Sequence, residues 1–296
     1  MDGILNVCKP IGPTSHDVVA TVRRLSGQKR VGHAGTLDPA ACGVLIVCLG
    51  RATRLLEYMS EHDKEYCAEV RLGFATDSYD TAGQPTTPPT EPSFSLEQVE
   101  AALRSFIGPQ LQSPPPFSAV KVQGTAAHRL ARAGHPVQLQ PREVEVYALD
   151  VVDWQPPHLT LFVRCSKGTY IRSLAHDLGQ RLGCGAHLSG LVRLASGPFR
   201  LEDAASLDQL QVGFTGGFAE QYLYAPDEAL LSRPAVVLSD ASVAAIEQGQ
   251  RWQGPPAPPG QSVCRAYSTD GRLVAVLQAE DTPGLWHPRK VLSVGR

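Results

Sequence analysis

The hydrophobic pattern of the chain switches between a period of two and a period near 3.6, and each switch marks a predicted element. GILNVCK (3–9) is short and apolar, which predicts a buried strand. TSHDVVATVRRL (14–25) sets Val18, Val19, Val22 and Leu25 at helical spacing, and Thr14 with Asp17 three residues later forms a capping pattern. VLIVCLG (44–50) is continuously apolar and closed by glycine, as a central strand covered on both faces would be. KEYCAEVRLGF (64–74) alternates, with Tyr66, Ala68, Val70 and Leu72 on one face and Glu65, Glu69 and Arg71 on the other. SLEQVEAALRSFIG (95–108) reads as a capped amphipathic helix ending at Gly108. TYIRSLAHDLGQRLG (169–183) reads as a helix whose inner face is Ile171, Leu174, Ala175, Leu178 and Leu182. REVEVYALDVVDW and HLTLFVRCS predict neighbouring strands.

Two stretches carry no period. QPTTPPTEP (84–92) predicts a surface loop, and residues 111–142 are long and irregular. A boundary is expected near EALLSRP (228–234). It divides a first domain, 1–232, from a compact second module, 233–296, of short strands and one small helix. Within that module GPPAPPG (254–260) is a rigid loop.

With 296 residues, 43% of them hydrophobic, the chain can bury a substantial core. A formal net charge of −2 means that any basic surface must be local. Ser105–Arg142 holds four Lys or Arg and no acid, and Arg164–Arg200 holds six against the single acid Asp177. Charge alone favours ordinary solvated surface here. None of the seven cysteines forms C-x-x-C, which argues against a zinc site or disulfide framework and suits a reducing compartment. No signal-peptide pattern opens the chain, and no apolar stretch reaches the roughly 18–20 residues of a membrane helix, so cytoplasm is expected. Phosphate-loop, dinucleotide, nucleophile-elbow and H-E-x-x-H patterns are all missing.

The stretch RVGHAGTLDPAACGVL (30–45) concentrates the candidate chemistry. Asp38 precedes Pro39, which keeps it out of helix, and Gly32 and Gly35 permit a tight path around it at the mouth of a buried strand. On local pattern alone, an Asp-Pro turn starter with a structural job is the favoured reading. Arg172 stands near the start of its helix, where the macrodipole disfavours a cation, so a carboxylate or phosphate should face it unless it reaches water. Tyr66 on an apolar face reads as a core tyrosine, His33 as a loop histidine and Lys9-Pro10 as a turn.

Taken together, GILNVCKPIGPTSHDVV, KRVGHAGTLDPAACGVLIVCLGRATRL, DKEYCAEVRLGFATDSYDTAG, PPPFSAVKVQGTAAHRLARAGHPVQLQPREVEV and GTYIRSLAHDLGQRLGCGAHLSGLVRLASGPF resemble the TruB family of tRNA pseudouridine synthases over about residues 3–230. The tail resembles a PUA-type RNA-binding module. The resemblance implies an α+β pseudouridine-synthase fold: a central, mostly antiparallel mixed sheet flanked by helices, followed by a small β-rich PUA-like domain. It implies isomerisation of uridine to pseudouridine at position 55 in the T-loop of tRNA, without cofactor or metal. Asp38 takes the place of the catalytic carboxylate, either attacking the sugar C1′ or promoting elimination to a glycal. Tyr66 matches the tyrosine that stacks on the flipped base, Arg172 the arginine that pairs with the aspartate and keeps it ionised, and His33 the histidine that fills the vacated space. Lys9, Pro10, Tyr170 and Leu188 match pocket walls and supports. A thumb-like insertion at about 109–142 would bring Lys121, Arg129, Arg132 and Arg142 to the RNA. The expected partner is the tRNA T-arm stem-loop; neither a membrane nor a protein partner is implied, and a monomer is expected. His128 stands where the family has tyrosine, so no role is assigned to it. The proline-rich 254–260 also departs from a compact PUA pattern. Three alternatives are a guide-RNA-dependent synthase, which calls for partner-binding extensions and a basic tail; a non-catalytic tRNA-binding or folding module; and a glycoside hydrolase, which needs a second carboxylate.

Overall fold

In the computed structural model the apolar block Cys42–Leu49 does lie near the middle of a sheet, and its residues from Gly43 on are buried. Residues 1–118, 120–122, 124–132 and 139–292 are described, apart from the side chains at 121, 122, 126, 128, 131 and 132. The main sheet runs Leu223–Tyr224, Gly3–Lys9, Cys42–Leu49, Ala186–Ser196, Lys64–Leu72, His158–Cys165, Arg142–Gln155, Gly108–Gln112. Val31–Ala34 and Phe199–Arg200 add to it off this path, giving ten strands. Ladders are antiparallel except between Ala186–Ser196 and Cys42–Leu49, which run parallel. The fold is therefore α+β with a mixed sheet, as expected.

The Ala186–Ser196 strand is absent from the elements that hydrophobic period predicts. Its register slips between Leu188 and Gly190 and again between Arg193 and Ala195. Each bulge shifts which side chains face which way, so AHLSGLVRLAS shows no clean alternation although it joins the two halves of the sheet.

Helix Ser15–Ser26 is capped as predicted, Asp17 N donating to Thr14 Oγ1 at 3.1 Å and Thr14 N to Asp17 Oδ2 at 2.8 Å. Helix Ile171–Leu182 buries Ile171, Leu174, Ala175 and Leu178, with Leu182 packed at the margin. Each such leucine contributes about 2 kcal/mol by leaving water. The helix expected to run to Gly108 instead covers Leu96–Leu103, followed by a short 3-10 turn at Arg104–Phe106. Pro109 cannot continue a helix, so the chain turns at Gly108 and enters the edge strand Gly108–Gln112.

The tail forms a five-stranded sheet with helix Asp240–Glu247 against it. It is not an appendage. Val263, Val276 and Leu292 share one buried cluster with Ile4, Ala34, Ile46, Leu55 and Met59 of the body. Arg51 Nη1 donates to Leu292 O at 2.9 Å, Arg54 bonds Val291 O, and Glu57 pairs with Arg289 at 3.3 Å and Lys290 at 3.2 Å. Tyr267 donates its hydroxyl proton to Asp227. No helix of the described residues is long and apolar enough to cross a membrane.

Candidate active site

The loop between Val31–Ala34 and Cys42–Leu49 carries Asp38, and the carbonyls of Gly35, Leu37, Asp38, Pro39 and Ala41 along it are each held by a donor. Arg193 Nη2 reaches Gly35 O at 2.8 Å and its Nε reaches Val44 O at 2.6 Å. Ser15 Oγ donates to Leu37 O at 2.9 Å and accepts from Leu37 N at 2.8 Å. Gly12 N donates to Pro39 O at 2.8 Å and Ala41 N to Asp38 O at 3.0 Å. Lys9, fully buried, donates to Ala41 O at 2.7 Å. The glycine at the start of the strand is obligatory: Gly43 has φ +102°, and a Cβ there would stand 2.3 Å from Arg193 O. A loop so tied presents its side chain in one orientation.

Arg172 grips that side chain. Its Nε lies 3.0 Å from Asp38 Oδ2 and its Nη2 3.4 Å from Asp38 Oδ1, a two-point contact. The remaining N–H groups go to Phe117 O at 3.0 Å, Ser78 O at 3.3 Å and Asp80 Oδ2 at 3.4 Å. The arginine side chain is 7% exposed and that of Asp38 41%. The guanidinium is sealed while the carboxylate stays open to an incoming molecule. Burial pushes the Asp38 carboxyl above its usual value; Arg172 opposes this, Asp80 adds to it and Lys9 opposes it. The guanidinium thus offsets a desolvation cost without overcoming it.

Tyr66 is buried on Lys64–Leu72, directly opposite Arg193 across the ladder to Ala186–Ser196. Burial raises its phenol, with the Arg193 charge pulling the other way; the Asp38 charge also reaches it. The cluster therefore holds three cations, Lys9, Arg172 and Arg193, beside two carboxylates, Asp38 and Asp80, and one phenol. Such a group can offer an oriented nucleophile or base next to a proton carrier. Among the described residues no three His, Cys, Asp or Glu side chains gather as a metal site.

A family model described as TruB family pseudouridylate synthase (N terminal domain) matches residues 23–171, and one described as tRNA pseudouridylate synthase B C-terminal domain matches 172–230. Proteins named tRNA pseudouridine synthase B from Dehalococcoides mccartyi and Solibacter usitatus are each 42% identical to the chain. The first covers 98% of this chain and 96% of the relative; the second covers 99% and 100%. The chain belongs to the TruB family of pseudouridine synthases. Solved structures agree in fold. The Cbf5–Nop10–Gar1 complex contains a chain matched with TM-score 0.77 at 28% identity, over 99% of this chain and 85% of that one. An H/ACA RNP bound to a substrate RNA containing 2′-deoxyuridine gives 0.76 at 27%, over 98% and 85%. Members of the family are isomerases, and this chain is one.

Against the TruB pattern, Asp38, Arg172, Tyr66 and Lys9 come together as one cluster. Lys9 lies beneath the loop as a support, and Pro10 is exposed beside it. His33 lies half-buried on Val31–Ala34, its Nδ1 enclosed without a hydrogen-bond partner, and burial lowers its pKa. Tyr170 caps the Arg172 helix through its backbone, bonded both ways to Gln112, at 2.8 Å through its N–H and 3.1 Å through its carbonyl. Leu188 is core: its N–H donates to Tyr79 O at 3.0 Å, bracing the Asp80 loop. Arg129 and Arg142 are exposed, whereas the side chains of Lys121 and Arg132 lie outside the described residues. Arg172 and Arg193 are buried in the site, and Lys167 and Arg200 are spent on Glu61 and Glu65.

Two members of the cluster are missing from the sequence-based candidates. Asp80 accepts from Ser78 Oγ at 2.5 Å and from Ala82 N at 3.0 Å, which aims its other oxygen at Arg172. The unfavourable helix position of Arg172 called for a counter-charge, and two carboxylates supply it. Arg193 had no such signal, because its neighbours come from distant segments.

Proposed function

We propose that this TruB-family enzyme isomerises uridine 55 in the T-loop of tRNA, with Asp38 as the carboxylate that acts on the target nucleotide. The observation that carries the reading is the asymmetry of the Arg172–Asp38 pair: the cation is sealed and the carboxylate open, as a group that must meet substrate while staying oriented. The relatives' shared name, at 42% identity over nearly the whole chain, supports tRNA as substrate. In the reaction the N1–C1′ bond breaks, the uracil turns, C5 bonds to C1′, and the proton leaving C5 is balanced by one gained at N1. Tyr66 stacks on the extruded base and serves as the proton carrier, and the flipped base leaves its stack at about a few kcal/mol.

In this reading residues 1–232 form the catalytic domain, with the stretch about 109–142 as a thumb over the RNA, and 233–296 act as a PUA-like RNA-binding module. Arg129 and Arg142 contact phosphate. The enzyme works alone, as a cytoplasmic monomer. Guide-dependent action is the second reading, favoured by the ribonucleoprotein neighbours. One experiment separates them: purified protein alone is incubated with an unmodified tRNA transcript and pseudouridine is mapped. Product at position 55 without added RNA or protein supports the proposal. Asp38→Asn should then abolish turnover while tRNA affinity stays within about tenfold, or 1.4 kcal/mol. Wild-type turnover by that variant would remove Asp38 from the chemistry.

A further inference from the structure

Arg193 is 1% exposed, and among the described residues it is in no ion pair. A buried guanidinium without a carboxylate is costly to keep, so what it touches is informative. Two of its donors bind Gly35 O, at the start of the Asp38 loop, and Val44 O, on the strand that follows it, at 2.8 and 2.6 Å. A Cβ built on Gly35 would lie 3.4 Å from its Nη1, so the loop is drawn onto the guanidinium. Its backbone is the same backbone that forces Gly43 to be glycine. Across the ladder, Arg193 and Tyr66 are direct partners, and side chains so paired stand about 5 Å apart at Cβ on one face of the sheet. Lysine could not do the same work, since one ammonium lacks the planar fork that reaches Gly35 O through Nη2 and Val44 O through Nε.

We propose that Arg193 is the positioning residue of the site: it ties the start of the Asp38 loop to the strand that follows it and presents an unneutralised charge to the side chain of Tyr66. One side chain thereby sets the distance between the carboxylate and the proton carrier. Its charge also favours the phenolate form of Tyr66, opposing the burial that raises that phenol. The proposal rests on the role given to Tyr66 above, and the test separates the two.

The test uses the full-length enzyme as wild type, Arg193→Gln, Arg193→Lys and Tyr66→Phe. A fluorinated tyrosine placed at position 66 reports the phenol's titration by fluorine NMR without any turnover, and single-turnover rates at saturating enzyme are taken across pH. In Arg193→Gln the phenol should titrate at higher pH. The rate should fall about 100-fold, the low end of what a positioned proton-transfer group contributes, with RNA affinity unchanged. Arg193→Lys should return the titration toward wild type and recover part of the rate. An unshifted titration in Arg193→Gln overturns the proposal. So do Gln and Lys variants equally slow with unshifted pH profiles, the mark of a merely structural role. If Arg193→Gln melts below the assay temperature, Arg193→Lys decides alone: a wild-type rate and profile there overturns the proposal. A wild-type rate in Tyr66→Phe removes the proton-carrier role of Tyr66, while the fluorine titration still reads the Arg193 contact.

Discussion

Replacing Arg172 by lysine keeps the charge and removes the fork. All five guanidinium N–H groups have acceptors: both oxygens of Asp38, Asp80 Oδ2, Ser78 O and Phe117 O, at 3.0–3.4 Å. An ammonium has three N–H groups radiating from one point, so at least two acceptors lose their donor. A bond involving a charged group is worth about 1.5–3 kcal/mol. The low end applies, because three of the contacts are 3.3 Å or longer and Asp38 is 41% exposed. Two lost bonds then amount to about 3 kcal/mol, or about two orders of magnitude in rate if they orient the carboxylate in the transition state. RNA affinity should hold within about threefold on the ordinary scale of affinities, since a side chain 7% exposed offers substrate almost no surface. The assay is single-turnover release of tritium from C5-labelled uridine in a T-arm stem-loop, with binding measured separately and melting as the control for fold. A rate within about fivefold of wild type, a loss of only about 1 kcal/mol, refutes the argument from donor count. So does a loss carried entirely by weaker binding.

Asp80→Asn keeps the shape but gives Arg172 a neutral acceptor, a loss of about 1 kcal/mol; single-turnover rates should fall about fivefold with binding unchanged. Asp177→Asn should raise the melting temperature at pH 8 but leave it unchanged below pH 4. Burial lifts this carboxyl from 3.8 to about 6, so ionising it in the folded state costs stability that is full above about 6 and gone below 3.8.

Local physics explains which parts were legible in the sequence. The capping pattern at Thr14 and Asp17 and the inner face of Ile171–Leu182 depend on neighbours three and four residues away, and both appear as read. Asp38, Tyr66, Arg172 and Lys9 were legible through long motifs, and Arg172 also through the wrong sign of its charge for its place on a helix. Arg193 was not, because its meaning lies in Gly35, Val44 and Tyr66, which reach it only through sheet register. The strand that carries it was hidden by its own bulges. Arg172 pairs with Asp38, and its charge opposes the rise that burial imposes on that carboxyl. The tail reads as a separate module because its strands are local, while its shared cluster with the body is made by residues hundreds of positions apart.

The Ala186–Ser196 strand is late in the chain and central in space, between the strand that follows Asp38 and the strand that bears Tyr66. A ribosome must therefore release most of the polypeptide before these two residues can meet. Loop closure over such separations is slow, and the order of synthesis cannot shorten it. Until the strand inserts, the nascent chain exposes two unpaired sheet edges and has no assembled site. The architecture makes assembly of the site a late event of folding.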